Sequence, residues 1–364
     1  MAHKVCLNTK NKKKVDLFET YKCEDVIYIK NLLENKNYEP GAYNIFLIHE
    51  PKVRLIMSQS IRDKIINHLV AKYFLVDVFD SSFIESNIAT RKGNGTHYGL
   101  KLIKKYLNEI KKKHKDIYYL KFDIKKYFYN MDHEIVKSLI RRKIKDQNAL
   151  DLLDKIIDTT DEEYVNETIK TIKKKEINGL CKMKNINSQE RLRRIKEIED
   201  IPLHHKGKGF SIGNMSSQIF GILYLNELDH FIKEELKIKY YERYMDDAVL
   251  IHHDKQYLNY CKIKIEELLT KYKLEFNIKK TYINNIKNGL DFLGFRFHIK
   301  NNKVIMKVRN STKRRFKKKE KILYTLKRYG YISDKVYKQS LSSNIGHLIS
   351  GSCKKLIHYY KIVL

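Results

Sequence analysis

Arg243-Tyr244-Met245-Asp246-Asp247-Ala248-Val249-Leu250 sets two adjacent carboxylates between an aromatic-methionine pair and an apolar run that continues into Ile251. The residue types and their period predict two short strands meeting at Asp246-Asp247, a hairpin with acid at its tip. Adjacent carboxylates repel, so folding alone gives little reason to place them at a tight turn. A divalent cation reverses the sign, because hard Mg²⁺ prefers carboxylate oxygen and usually takes one or two from a protein. A bare Asp-Asp pair is more often a solvated acidic turn. The surrounding sequence therefore decides.

The chain has 364 residues, 42% of them apolar, and a formal charge of +31. That length allows two or three domains, and the apolar content indicates a globular protein with a real core. The positive excess goes far beyond what solubility needs and points to a polyanion. No apolar stretch approaches a bilayer span, and Met1 to Lys14 is too polar for a secretory signal, so nucleic acid is favoured over a membrane. Cys6, Cys23, Cys181, Cys261 and Cys353 are scattered, with no Cys-x-x-Cys pair, and read as reduced thiols of a cytoplasmic protein. The histidines form no metal-ligand pattern.

Outward from the hairpin, other stretches bear on it. Residues 1–36 are polar and helix-compatible. Asn44 to Ile48 and Lys52 to Ile56 flank a proline-marked turn and predict a hairpin, with Lys52 and Arg54 on one face of its second strand. Ile61, Ile65, Ile66, Leu69, Val70, Tyr73 and Phe74 form a helical stripe for the core, and Leu100, Ile103, Leu107 and Ile110 form another. Ile117 to Asp123 reads as a strand ending on an acid, with Phe128 five residues later and a helix capped by Asp132 beyond. Residues 161–200 are nearly charge-neutral and read as a helical insertion on the periphery. Gly207 to Gln218 reads as a flexible polar loop running into an apolar helix. After the acidic hairpin, a helix over Tyr257 to Thr270 is expected, then a strand over Phe276 to Ile283 and a tight turn at Phe292-Leu293-Gly294-Phe295. The tail from Lys307 to Arg328 has eleven basic residues against one acid, Glu320, and suits a phosphate backbone.

Taken in order, strand-end Asp123, the loop at Gly213, Tyr244-Met245-Asp246-Asp247, Lys280 and Phe292-Leu293-Gly294-Phe295 resemble the reverse transcriptase family from about Lys52 to Phe295. The resemblance implies an α+β right-hand polymerase. On that plan 1–115 is the N-terminal region and fingers, 116–300 the palm with the insertion near 161–200, and 301–364 a basic helical thumb. It implies RNA-directed DNA polymerase activity, with two Mg²⁺ ions held by Asp123 and Asp246 and with Asp247 and Lys280 completing the catalytic set. Lys52, Arg54, Phe128, Gly213 and Gln218 would line the deoxynucleoside triphosphate site, the Phe128 ring excluding a 2′-hydroxyl. Residues 292–295 would hold the primer end. From charge alone, Arg314, Arg315, Lys317, Lys318 and Lys319 are expected to bind nucleic acid.

The implied partners are an RNA template, a DNA or RNA primer and a dedicated structured RNA or accessory protein, with no membrane. Ile212-Gly213-Asn214-Met215-Ser216-Ser217-Gln218 and Arg91-Lys92-Gly93-Asn94-Gly95-Thr96-His97 are most similar to bacterial diversity-generating retroelement enzymes. The alternatives are an antiviral defence enzyme and a non-catalytic RNA-binding scaffold of the same fold.

Overall fold

The computed structural model describes residues 1–349 apart from 10, 50, 51, 184 and 185, together with 351 and 358. Cys353 and the Glu50-Pro51 turn lie outside the described residues. The chain divides into two compact units. The first comprises Met1–Glu85, Ile124–His230 and Glu266–Asn277; the second comprises Ser86–Asp123, Phe231–Ile265 and Ile278–Leu364.

The first unit opens with helices Ala2–Asn8, Lys12–Thr20 and Lys22–Glu34. Strands β1 (Asn44–Ile48) and β2 (Arg54–Ser58) form the expected antiparallel hairpin, but Lys52 precedes β2 instead of sharing its face with Arg54. Ser60 caps helix Ile61–Val70 by accepting the Asp63 N–H at 3.1 Å. That helix runs on as π-turns over Ala71–Val76. The wider turn rotates the apolar stripe: Ala71 and Leu75 are fully buried, whereas Tyr73, expected in the core, is exposed. The near-neutral segment forms helices Glu163–Lys182 and Ser188–Glu199. It is not merely peripheral. Val165 and Ile169 are buried against Tyr43, Ile45, Leu55 and Met57, a core that mean charge could not reveal.

In the second unit four antiparallel strands run in the order β4-β5-β3-β6, with β3 Tyr118–Asp123, β4 Tyr240–Tyr244, β5 Asp247–His252 and β6 Tyr282–Asn285. A second sheet holds β7 (Leu290–Phe292), β8 (Phe295–Lys300) and β9 (Lys303–Val308). Leu100, Ile103, Leu107 and Ile110 line one face of helix Thr96–Ile110 and share a core with Tyr119, Val249, Ile251 and Phe297. Each such buried side chain contributes roughly 1.5–3 kcal/mol, enough to fix strand register.

Two expectations fail here. The strand expected over Phe276 to Ile283 starts only at Tyr282, because Ile278–Lys280 turn as a 3-10 helix. The basic tail begins in β9 and becomes helical only over Asn310–Arg328. Alternating Val304, Met306 and Val308 pack on the core, and that pairing partner is distant from the local charge pattern. Among the described residues no helix is long and apolar enough to cross a membrane.

Candidate active site

Antiparallel register does the first work. Asp123 ends β3 and Asp247 begins β5, and the two are paired across the sheet. β4 and β5 are joined through Met245 and Asp246, with Tyr244 opposite Asp247, so the predicted acidic hairpin is present. Met245 has φ 55°, a left-handed conformation that a long side chain rarely adopts. Arg243, fully buried, donates from Nη1 to the Met245 carbonyl at 2.9 Å. The backbone of Arg243 is held as well: its N–H donates to Ser86 O at 3.0 Å, and its carbonyl accepts from the Ile88 N–H at 3.1 Å. The hairpin tip is thus pinned from its own strand.

The electrostatics are those of a crowded anionic site. Burial, then the nearby charges of Asp123 and Asp247, push the Asp246 carboxyl up to about 6. Burial likewise raises Asp247, against the pull of Lys121. Lys121 Nζ lies 3.1 Å from Asp247 Oδ1 and donates to the Asp291 carbonyl at 2.7 Å. Lys280 Nζ lies 2.6 Å from Asp123 Oδ2, delivered by the unexpected 3-10 turn. Three carboxylates face two ammonium groups, leaving surplus negative charge on hard oxygen donors. That donor set fits a divalent cation, with Asp123 and Asp246 as the residues to hold it. Sequence reasoning missed Lys121 and Arg243. Alternation along β3 placed Lys121 on the same face as Asp123, but nothing local named its partner.

The turn at 292–295 is the two-residue link from β7 to β8, with Leu293 at φ 48° and Gly294 at φ 84°. Phe292 and Phe295 are each only 1% exposed, so their rings belong to the core and only Leu293 and Gly294 form the tip. Arg314, Arg315, Lys317, Lys318 and Lys319 are exposed on helix Asn310–Arg328, while Phe316 turns inward.

The first unit gathers the other expected residues. Lys52 and Arg54 are exposed. β2 is tied to the Gly213 loop, where the Met57 N–H donates to the Ile212 carbonyl at 3.3 Å and Gly213 takes φ 129°. In the loop expected to be flexible, Ser211, Asn214, Ser216 and Ser217 are buried and hydrogen-bonded, while Gly213 is exposed. Asn214 donates to Ser211 Oγ at 2.7 Å and to the Tyr43 hydroxyl at 3.1 Å. Asn67 donates to Ser216 Oγ at 2.9 Å and accepts the Ser216 N–H at 3.0 Å. Gln218 follows, half-buried, on helix Met215–Tyr224. The Phe128 ring lies against Tyr127 with centroids 5.5 Å apart, and against Gly221, where an added Cβ would sit 3.4 Å from Phe128 Cζ. Phe128 is half-buried, so part of its ring stays available.

The first unit also holds a cluster unforeseen from sequence. His133, Asp158 and Asp161 bring ligand atoms within 4.8 Å of one another, the one such group among the described residues. Its atoms are already engaged. His133 Nδ1 is 3.1 Å from Asp158 Oδ1 and Nε2 is 2.7 Å from the Gly209 carbonyl. Asp158 also accepts from Lys137 at 2.8 Å, and Asp161 accepts the Gly207 N–H at 3.0 Å. Two acceptors on one imidazole require both nitrogens to be protonated. The cluster is a clasp on the 207–209 loop.

Residues 48–297 match the reverse transcriptase (RNA-dependent DNA polymerase) family. No curated protein matches the chain. Among solved structures, a telomerase from Candida albicans in complex with a TWJ fragment of telomeric RNA is 13% identical, with a TM-score of 0.45 over 75% of this chain and 46% of that one. A Candida Tropicalis apo telomerase truncated from its C-terminal domain is 14% identical, with a TM-score of 0.47 over 79% of this chain and 60% of that one. The chain spans about half the length of the solved chains it matches.

Proposed function

The chain belongs to the reverse transcriptase family, and from that premise we propose that it is an RNA-directed DNA polymerase extending a DNA or RNA primer on an RNA template with deoxynucleoside triphosphates. The observation that supports this best is the juxtaposition of Asp123 with Asp247 across β3 and β5, beside an Asp246 whose carboxyl is pushed up to about 6. A non-catalytic scaffold has no use for such repulsion.

In nucleotidyl transfer the primer 3′-oxygen bonds to the α-phosphorus, the α–β phosphoanhydride bond breaks, and pyrophosphate departs. Two Mg²⁺ ions, when bound, supply Lewis acidity to the entering and leaving oxygens. Asp123 and Asp246 are the residues to hold them, and Asp247, held by Lys121, steadies the tip. Lys280 balances Asp123 and is the ammonium available to donate a proton to departing pyrophosphate. Lys52 and Arg54 provide cations for the triphosphate, with Gly213 and Gln218 shaping its pocket. Leu293 and Gly294 offer the primer contact, and the five basic residues at 314–319 lie along the duplex backbone. On this reading 1–115 serves as the N-terminal region and fingers, 116–300 as palm with the insertion near 161–200, and 301–364 as thumb.

The Gly213 loop and Arg91 to His97 support a place among bacterial or phage retroelement enzymes of the diversity-generating kind, working in the cytoplasm with a structured RNA or accessory protein. An antiviral role is the second reading. Primer extension on an RNA template tests the central proposal: Mg²⁺-dependent synthesis from deoxynucleotides is expected, and none by the purified chain with any template would overturn it. In the same assay Phe128→Ala should raise ribonucleotide insertion relative to deoxynucleotide by orders of magnitude. Wild-type sugar preference in a merely destabilised variant would remove Phe128 from the gate.

A further inference from the structure

At the ends of β3 and β5 away from the aspartates, five rings follow one another on the second unit. His114 stacks on His253 with centroids 3.9 Å apart and planes inclined by 8°. His253 meets His252 at 4.4 Å, His252 meets Tyr257 at 5.0 Å, and Tyr257 stacks on Tyr260 at 5.9 Å. Register sets their distance from the acids. Tyr118 lies opposite His252 while Asp123 lies opposite Asp247, and that strand length corresponds to roughly 17 Å. The ladder is therefore separate from the acidic hairpin.

The core does not require these rings. His253 is exposed and Tyr260 is 49% exposed, beside the 56% exposed Ile263. Only Tyr257 is anchored inward, its hydroxyl donating to the Leu236 carbonyl at 2.8 Å. A metal site does not explain them either. Stacked imidazoles present faces to one another, and His252 Nδ1 already accepts the Asp254 N–H at 3.1 Å.

The charge around the ladder is one-sided. Lys112, Lys113 and Lys115 bracket His114, while Lys255 and Lys262 sit on the helix that carries Tyr257 and Tyr260. Of the neighbouring acids, Asp116 pairs with Lys287 at 3.3 Å, and Asp254, which accepts the Gln256 N–H at 2.7 Å at the helix start, is outnumbered by the lysines. The open outer face of Tyr260, stacked on one side only, together with the basic field around the ladder, is what unpaired bases and their phosphates bind. A duplex hides its base faces, and a partner without acidic groups would leave the lysines without counter-charge.

We propose that the His114–His253–His252–Tyr257–Tyr260 ladder is a second docking strip, for single-stranded RNA, distinct from the polymerase site. The probe is a labelled, unstructured uridine-rich RNA, with affinity read by fluorescence anisotropy on the full chain. Tyr260→Leu should weaken binding about tenfold, whereas Tyr260→Phe should bind as wild type. Lys113→Glu/Lys115→Glu, confined to a surface turn, should also weaken binding severalfold, a check that stands even if the ring variant folds poorly. Primer extension on a short RNA–DNA hybrid with a recessed DNA 3′ end and a template overhang of only a few nucleotides should be unchanged in all of them, which separates this strip from the polymerase reading. Unchanged RNA affinity in the ring and charge variants would overturn the proposal. So would a ring variant that altered only self-association in sedimentation.

Discussion

Two acid clusters, one in each unit, are built from similar side chains to opposite electrostatic ends. Around His133, the acceptors are matched to donors. Burial alone would lower the histidine pKa, yet hydrogen bonds to Asp158 and Gly209 and the charge of Asp161 raise it, so the cation is held where it is useful to the fold. At the hairpin, burial and like charge raise Asp246 and Asp247, so the ionised form is penalised by the fold. A satisfied cluster stabilises; a frustrated one is poised for a cation from outside. Proximity of ligand atoms picks out the His133 cluster, whereas the electrostatics single out the hairpin.

The sharpest way to break this contrast is Asp246→Asn. On the proposed function, polymerisation should fall by at least about a thousandfold, since the carboxylate proposed to hold metal is lost. In chelator the same variant should be more stable than wild type above pH 6, by up to roughly 3 kcal/mol, because the raised pKa penalises the ionised folded state. Denaturant titration measures the second effect. A destabilised Asp246→Asn would remove the frustration argument.

Asp158→Asn should do the reverse. It breaks charge-assisted bonds to His133 and Lys137 and should cost about 1–2 kcal/mol, with Asp158 partly exposed, while primer extension stays within a fewfold of wild type. A thousandfold loss of activity at unchanged stability would make the clasp part of the chemistry.

The finest test, because it must resolve two overlapping steps, is the pH profile of metal-free stability. The Asp246 penalty sets in as pH rises from the unfolded carboxylate range through about 6. The His133 contribution is fully present below its unfolded value of 6.5 and fades as pH rises through its elevated folded value. Asp246→Asn should erase the lower decline and His133→Gln the upper one. A profile in which either variant erases both would mean that the two clusters are coupled.

Much of this was legible in the chain. Alternation around Arg243 to Ile251 determined the hairpin and its acidic tip, and the apolar stripe of helix Thr96–Ile110 determined the face that packs. The order of Asp123, Gly213, Asp246-Asp247, Lys280 and Phe292 to Phe295 determined the family. These are local patterns, in which period and residue type suffice. What the fold alone decided depends on partners remote in sequence. It paired Lys121 with Asp247 and Lys280 with Asp123, separations no period encodes. It buried Arg243 under Met245, sent Phe292 and Phe295 into the core, and tied a polar loop into a hydrogen-bond network through Asn67 and Tyr43. The sequence names which groups carry charge; only packing sets which are paired, and so which remain free to bind a metal ion or a nucleotide.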